Sequence, residues 1–205
     1  MKKSHHFSIE ERDSVYYLLD NGEQVATPNG QIGCTKSKEL ADMLVKNANA
    51  TNGSYTKSTD LLCYFYSTLD FTMQWNEERT KEYVQYLTNC LACDPYLMFR
   101  QPCPVRPAIE QFFVDHLSET VNELPPHRLV CYIILNAVYQ SPMMAQYIVA
   151  DIIEGDGEYE ELKQEFLDDL KEFSREEGLI FNRRKYSDMI DKFVAYYTID
   201  EIYFV

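Results

Sequence analysis

The chain has 205 residues, 19 Lys and Arg against 33 Asp and Glu for a formal net charge of −14, and 45% hydrophobic and 14% aromatic residues. That apolar share argues against a wholly disordered chain, because enough surface can leave water to offset the entropy of ordering. The negative balance argues against a generic binder of nucleic acid or anionic membrane, since neutralising phosphates needs a basic face. At about 150 residues per domain, the length predicts one large domain or two small ones.

The first forty residues read as strands and turns. Ser14-Val15-Tyr16-Tyr17-Leu18-Leu19 is rich in β-formers, and Asn21-Gly22 behind it is a hairpin signal. Gln24-Val25-Ala26 is a second short run ending at the turn Thr27-Pro28-Asn29-Gly30, and Gln31-Ile32-Gly33-Cys34 a candidate third strand. Ser37 is placed to cap a helix with Leu40, Met43 and Leu44 on one stripe. Asn47 to Ser58 is polar and reads as a loop, and Asp60 to Trp75 fits either a helix or a buried strand. Glu77 to Leu91 reads as a helix, and Pro95 to Arg100 as a short strand before Pro102, Pro104 and Pro107.

Beyond those prolines the pattern is helical. Ala108 to Leu124 is one candidate; Pro126 and Pro142 each stand at a first helical position, where a missing N–H costs nothing. Arg128 to Tyr139 is apolar on most sides, as a central helix would be. Tyr159 to Phe173 is amphipathic, with Leu162, Phe166, Leu170 and Phe173 on one face and Glu161, Glu165, Asp168 and Glu172 on the other. A last helix is expected over Arg184 to Tyr197, before the aromatic end Ile202-Tyr203-Phe204-Val205. The fold class is therefore α+β: a small part, 1–104, with short antiparallel strands and a β-hairpin, then an all-helical part, 105–205, with an acidic C-terminal region.

Motifs for catalysis are scarce. The sequence has no glycine-rich dinucleotide fingerprint, no phosphate loop, no Gly-x-Ser-x-Gly and no His-Glu-x-x-His. Of four histidines, His116 and His127 are the plausible bases, and neither has a recognisable nucleophile beside it in sequence. Cys90-Leu91-Ala92-Cys93, with Cys103 and His116, could supply three thiolates and an imidazole to a zinc ion. The pair lies at the end of a helical stripe, however, where small buried hydrophobes are the better reading, and no metal site is assigned. With no apolar core behind Met1-Lys2-Lys3 and no run of about 18 apolar residues, a cytoplasmic chain with reduced thiols and no membrane insertion is expected. From Asp151 onward there are 16 acidic and 7 basic residues, so this segment carries −9 of the −14. Such a run is either the solvated face of a helix or a docking surface for a basic partner.

Five stretches carry a resemblance. Tyr16 to Gly30 is similar to a strand ending Leu-Asp-Gly-Arg, followed by Thr-Pro and Gly. Leu40-Ala41, Thr68-Leu69-Asp70, Leu97-Met98-Phe99-Arg100 and the acidic stretch Phe166 to Gly178 follow in the same order. Together they resemble the assembly chaperones of the F(1)-ATPase, the family that holds the α subunit of ATP synthase until it enters the hexamer. The likeness spans about residues 7 to 178. It departs from the family at Gly22-Glu23, where an Arg is usual, at Lys46-Asn47 in place of Glu-Trp, near Phe112 to Asp115, where Trp-Asp-Pro is missing, and at Phe173-Ser174-Arg175-Glu176-Glu177 in place of Trp-Gly-x-Asp-Glu. The segment after Gly178 looks like an addition.

The resemblance implies a bacterial cytoplasmic chaperone rather than an enzyme, acting as a monomer without a cofactor, with the ATP synthase α subunit as its protein client and no nucleic-acid partner. Carried over from the closing motif, Glu176, Glu177 and Phe173 become the candidate partner-binding residues. Two alternatives remain open. One is a small thiol- or zinc-dependent enzyme using Cys90, Cys93, Cys103 and His116; the other is an acidic helical adaptor with an unrelated protein partner.

Overall fold

The computed structural model describes residues 4–57, 60–91, 94, 96, 124–200 and 203–205. The architecture is α+β: four short antiparallel strands, then seven α-helices among the described residues. The strands are β1 (Phe7–Arg12), β2 (Val15–Asp20), β3 (Glu23–Gln24) and β4 (Cys34–Thr35). The helices are α1 (Lys38–Thr51), α2 (Leu61–Asp70), α3 (Glu77–Cys90), α4 (Pro126–Tyr139), α5 (Pro142–Ile148), α6 (Tyr159–Glu176) and α7 (Arg183–Tyr197).

Two tight turns set the sheet. Asn21 and Gly22 have φ of 52° and 82° and join β2 to β3, the left-handed pair that matches the twist of antiparallel strands. Asp13 and Ser14 do the same between β1 and β2, with φ of 51° and 61°. β1 is a strand that the sequence reading did not anticipate. It pairs with β2 in the register Phe7↔Asp20 through Arg12↔Val15. The other edge of β2 is shared by β3 and β4, with residues 25–33 running between them. Ala26 bridges Ile32, and the Thr27 N–H donates to the Gln31 carbonyl at 2.8 Å.

Ser37 caps α1 as expected, its Oγ accepting from the Leu40 N–H at 3.1 Å. The helix then runs through Thr51, so the loop expected from Asn47 begins five residues later, at Asn52. Two asparagines that looked like loop residues have partners instead. Asn47 Oδ1 accepts from the Leu61 N–H at 2.8 Å, and Asn49 makes a two-way amide pair with the backbone of Phe7 at 2.8 and 3.0 Å. The stretch after Asp60 resolves as helix α2 followed by a short 3-10 turn at Thr72–Gln74.

Two compact units are present. One comprises Met1–Trp75, Pro125–Val130 and Ala195–Val205; the other comprises Asn76–Leu124 and Cys131–Val194. In the first unit, Leu18 of the sheet, Leu40, Ala41 and Leu44 of α1, and Leu61, Leu62 and Phe65 of α2 are all almost fully buried. The chain end, which looked like an addition, belongs to this core. Phe204 bridges Thr35, Lys36 N–H donates to the Tyr203 carbonyl at 2.8 Å, and the Phe204 ring stacks on His127 at 5.2 Å. The expected join near residues 100 to 108 lies outside the described residues.

The second unit is helical. Its core holds Val84 and Leu87 of α3, Tyr132 and Leu135 of α4, Phe166, Leu167 and Leu170 of α6, and Met189, Ile190 and Phe193 of α7. Asp94, buried, serves the start of α5. Its carboxylate accepts from Ser141 Oγ at 2.7 Å, from the Met143 N–H at 3.0 Å and from the Tyr96 N–H at 2.8 Å. Ser141 Oγ in turn accepts from the Met144 N–H at 3.0 Å, so the helix start is capped twice over.

Candidate functional site

Helix α6 places the three candidate partner-binding residues. Its apolar stripe, Phe166, Leu170 and Phe173, is turned inward; Glu160, Glu161, Glu165 and Asp168 are exposed on the outside. Phe173 is buried, its ring 5.4 Å from that of Tyr96, whose hydroxyl lies 3.2 Å from the Tyr186 hydroxyl. Glu176 and Glu177 are exposed at the helix end. The structure therefore presents the two carboxylates to solvent and keeps Phe173 in the core.

Gly178 ends the helix in the left-handed region, φ 67°, and Leu179 N–H donates to the Ser174 carbonyl at 2.7 Å. The reversal displays two apolar side chains directly after the glutamates: Leu179 is 40% exposed and Ile180 93%. Phe181 returns to the protein, stacked on Tyr186 at 5.3 Å with planes 10° apart. Between this segment and α6 lies a groove of about 520 Å³, lined by Asp168, Lys171, Glu172, Arg175, Leu179 and Phe181. Its charges are partly paired. Arg183 reaches Asp168 at 2.5 Å and holds that carboxyl below its usual range, and Arg175 lies 3.3 Å from Glu172. The sequence reading missed Leu179 and Ile180, because the stretch behind Gly178 matched no motif.

The thiol alternative is represented by one of its four residues. Cys93, Cys103 and His116 lie outside the described residues. Cys90 is half-buried and accepts a hydrogen bond from Asn136 Nδ2 at 3.9 Å. Among the described residues, no three acidic, His or Cys side chains are grouped to hold a metal ion. Burial raises the Cys34 thiol and pushes Cys63 up to about 11, so both are neutral thiols near neutral pH. His127 is 1% exposed between the rings of Phe204 and Tyr196, and burial lowers it to about 4. It is a packed neutral imidazole at neutral pH.

The motifs behind the resemblance divide in the same way. Leu40 and Ala41 are buried in α1, and Thr27 and Asp70 are both buried and bonded to one another. Leu97 to Arg100 and Phe112 to Asp115 lie outside the described residues. Among the described residues, no helix is long and apolar enough to cross a membrane. The chain has no match among known protein families, characterised proteins or solved structures.

Proposed function

We propose that this chain is a non-catalytic protein-binding factor, an assembly chaperone that holds the α subunit of the F(1) sector of ATP synthase in the bacterial cytoplasm. The observation that carries the reading is the surface at the end of α6, where exposed Leu179 and Ile180 follow exposed Glu176 and Glu177. An isoleucine left in water forgoes about 1.5–3 kcal/mol that a partner would recover by covering it. The glutamates beside it keep the patch soluble and select for a basic rim on the client. The buried Thr27–Asp70 pairing supports the resemblance from the other side, since it ties together two of the stretches that carry it.

The test is capture of purified ATP synthase α subunit by the full chain. Wild type is expected to hold it, and Ile180→Asp or the double charge reversal Glu176→Lys, Glu177→Lys to lower capture at least about tenfold. All three positions are exposed, so unchanged circular dichroism is expected. Failure of wild type to hold the α subunit overturns the client; equal capture by all variants overturns the site.

A further inference from the structure

A second groove lies within the N-terminal unit, away from α6 in sequence and built from four separate stretches. It encloses about 330 Å³ and is lined by His5, Phe7, Asp20, residues 23–28 from Glu23 to Pro28, Gly53, Tyr55 and Tyr66. The rings of Tyr55 and Tyr66 stand 5.5 Å apart with planes 59° apart and form an aromatic corner. Asp20 and Glu23 supply two carboxylates, and none of the described residues lining the groove is a lysine or arginine.

Tyr66 is the informative residue. It is only 7% exposed, yet its hydroxyl makes no hydrogen bond to another described residue. The ring is buried while the hydroxyl is not sealed from solvent, so the O–H is left open to a ligand atom that enters the groove. Burial, with Tyr55 and Asp20 close by, drives its pKa upward, so it stays protonated. Asp20 is fixed in place: its Oδ2 lies 2.5 Å from His5 Nδ1, and its Oδ1 accepts from the His6 N–H at 3.2 Å and from Asn21 Nδ2 at 3.0 Å. Glu23 is exposed and makes no ion pair with a described residue.

We propose that this groove binds a guanidinium group, the side chain of an arginine presented on a peptide. Asp20 is engaged by His5, but the rim carboxylate of Glu23 pairs with no described lysine, arginine or histidine, and it favours a positive ligand. Aromatic faces favour a flat, weakly hydrated cation, and guanidinium stacks on a ring where ammonium does not. An N–H of the ligand donates to the Tyr66 hydroxyl, while the carboxylate of Glu23 receives others from the rim. The site is independent of the α6 surface and of the client proposed for it.

The experiment titrates the 15N-labelled full chain with acetyl-Ala-Arg-Ala-amide and, in parallel, with the same tripeptide carrying citrulline, which keeps the shape and loses the charge. Saturable shifts of the amides of Glu23, Gly53 and Tyr55 are expected with arginine, and at least about tenfold weaker binding with citrulline. Glu23→Gln and Tyr55→Ala, both at exposed positions, are each expected to weaken the arginine peptide about threefold or more. Tyr66→Phe keeps the ring, and it is expected to weaken binding as well. Glu176→Lys with Glu177→Lys is expected to leave it unchanged. Equal binding of the two peptides, shifts confined to residues outside the groove, or no saturable shift at millimolar peptide overturns the proposal.

Discussion

Thr27 and Asp70, 43 positions apart, meet in a buried hydrogen bond in which Thr27 Oγ1 donates to Asp70 Oδ1. The second carboxylate oxygen accepts from the Asn29 N–H at 3.2 Å, and Thr27 Oγ1 accepts from the Gln31 N–H at 3.0 Å. One carboxylate at the end of α2 thus fixes the whole excursion between β3 and β4. Asp70→Ala leaves the buried Thr27 hydroxyl without its acceptor and removes the partner of the half-buried Asn29 N–H, a loss of about 2–3 kcal/mol. For a chain of this size that is a fall in melting temperature of roughly 5–10 °C. Thr27→Val is expected to cost about as much, and Thr27→Ser, which keeps the hydroxyl, about half or less. Thermal unfolding followed by circular dichroism checks the order of the three.

Gly53 and Gly178 both sit in the left-handed region, with φ of 72° and 67°, but their surroundings differ. A Cβ at Gly178 would meet nothing within 4 Å, whereas one at Gly53 would stand 2.9 Å from Cε2 of Phe7. Gly178→Ala is therefore expected to cost only the backbone term, about 1 kcal/mol. Gly53→Ala adds displacement of a buried ring and is expected to cost about 2–3 kcal/mol. Urea unfolding of the two variants separates them; equal losses would show that the Phe7 ring gives way freely.

The parts of this fold that could be read in advance are those announced by neighbouring residues. Asn21-Gly22, the Ser37 cap and the helix starts at Pro126 and Pro142 all depend on chemistry within a few positions, and all stand where expected. β1 was hidden because its turn, Asp13-Ser14, adopts left-handed angles without a glycine, and because its alternation breaks at Glu10-Glu11-Arg12. The extension of α1 to Thr51 was hidden because Asn47 and Asn49 find their partners at Leu61 and Phe7, far away in sequence. The α6 surface was half legible: helical spacing assigned Phe173 to the inner stripe, but Leu179 and Ile180 are exposed by the reversal at Gly178. The groove of Glu23, Tyr55 and Tyr66 had no local signal, since it exists only once the strands and α2 have packed.

Lys163 and Asp191 form an unequal pair between α6 and α7. Lys163 is 5% exposed, its Nζ 2.8 Å from Glu160, 3.0 Å from Asp191 and 4.9 Å from the centre of the Tyr159 ring. Asp191 also accepts from the Tyr159 hydroxyl at 2.5 Å and is partly in water. Removing the carboxylate leaves the buried ammonium with Glu160 as its remaining acidic partner and the phenol without its acceptor, whereas removing the ammonium leaves a carboxylate that water can solvate. Asp191→Ala is expected to cost about 1–2 kcal/mol and Lys163→Met less than about 1 kcal/mol, because a buried ammonium that loses one of its two carboxylates is worse than no charge at all. The double variant is expected to recover part of the Asp191→Ala loss, and denaturant melts of the three proteins measure that recovery.

His127 gives the pH dependence. Burial between aromatic rings is the largest influence and lowers it to about 4, the hydrogen bond with the Ile199 backbone working the other way. In the unfolded chain the same imidazole titrates near 6.5. Between those two values the unfolded state holds a proton that the folded state does not, so stability rises with pH across the window. The contribution is fully present above about pH 6.5 and is lost as pH falls toward about 4. Between pH 7 and pH 4.5 the loss is about 2 kcal/mol. His127→Phe keeps an aromatic ring against Phe204 and removes the proton, so its stability is expected to fall by about 2 kcal/mol less than that of wild type over the same interval. Urea unfolding of both proteins at the two pH values measures the difference, and parallel losses would show that His127 is solvated and titrates normally.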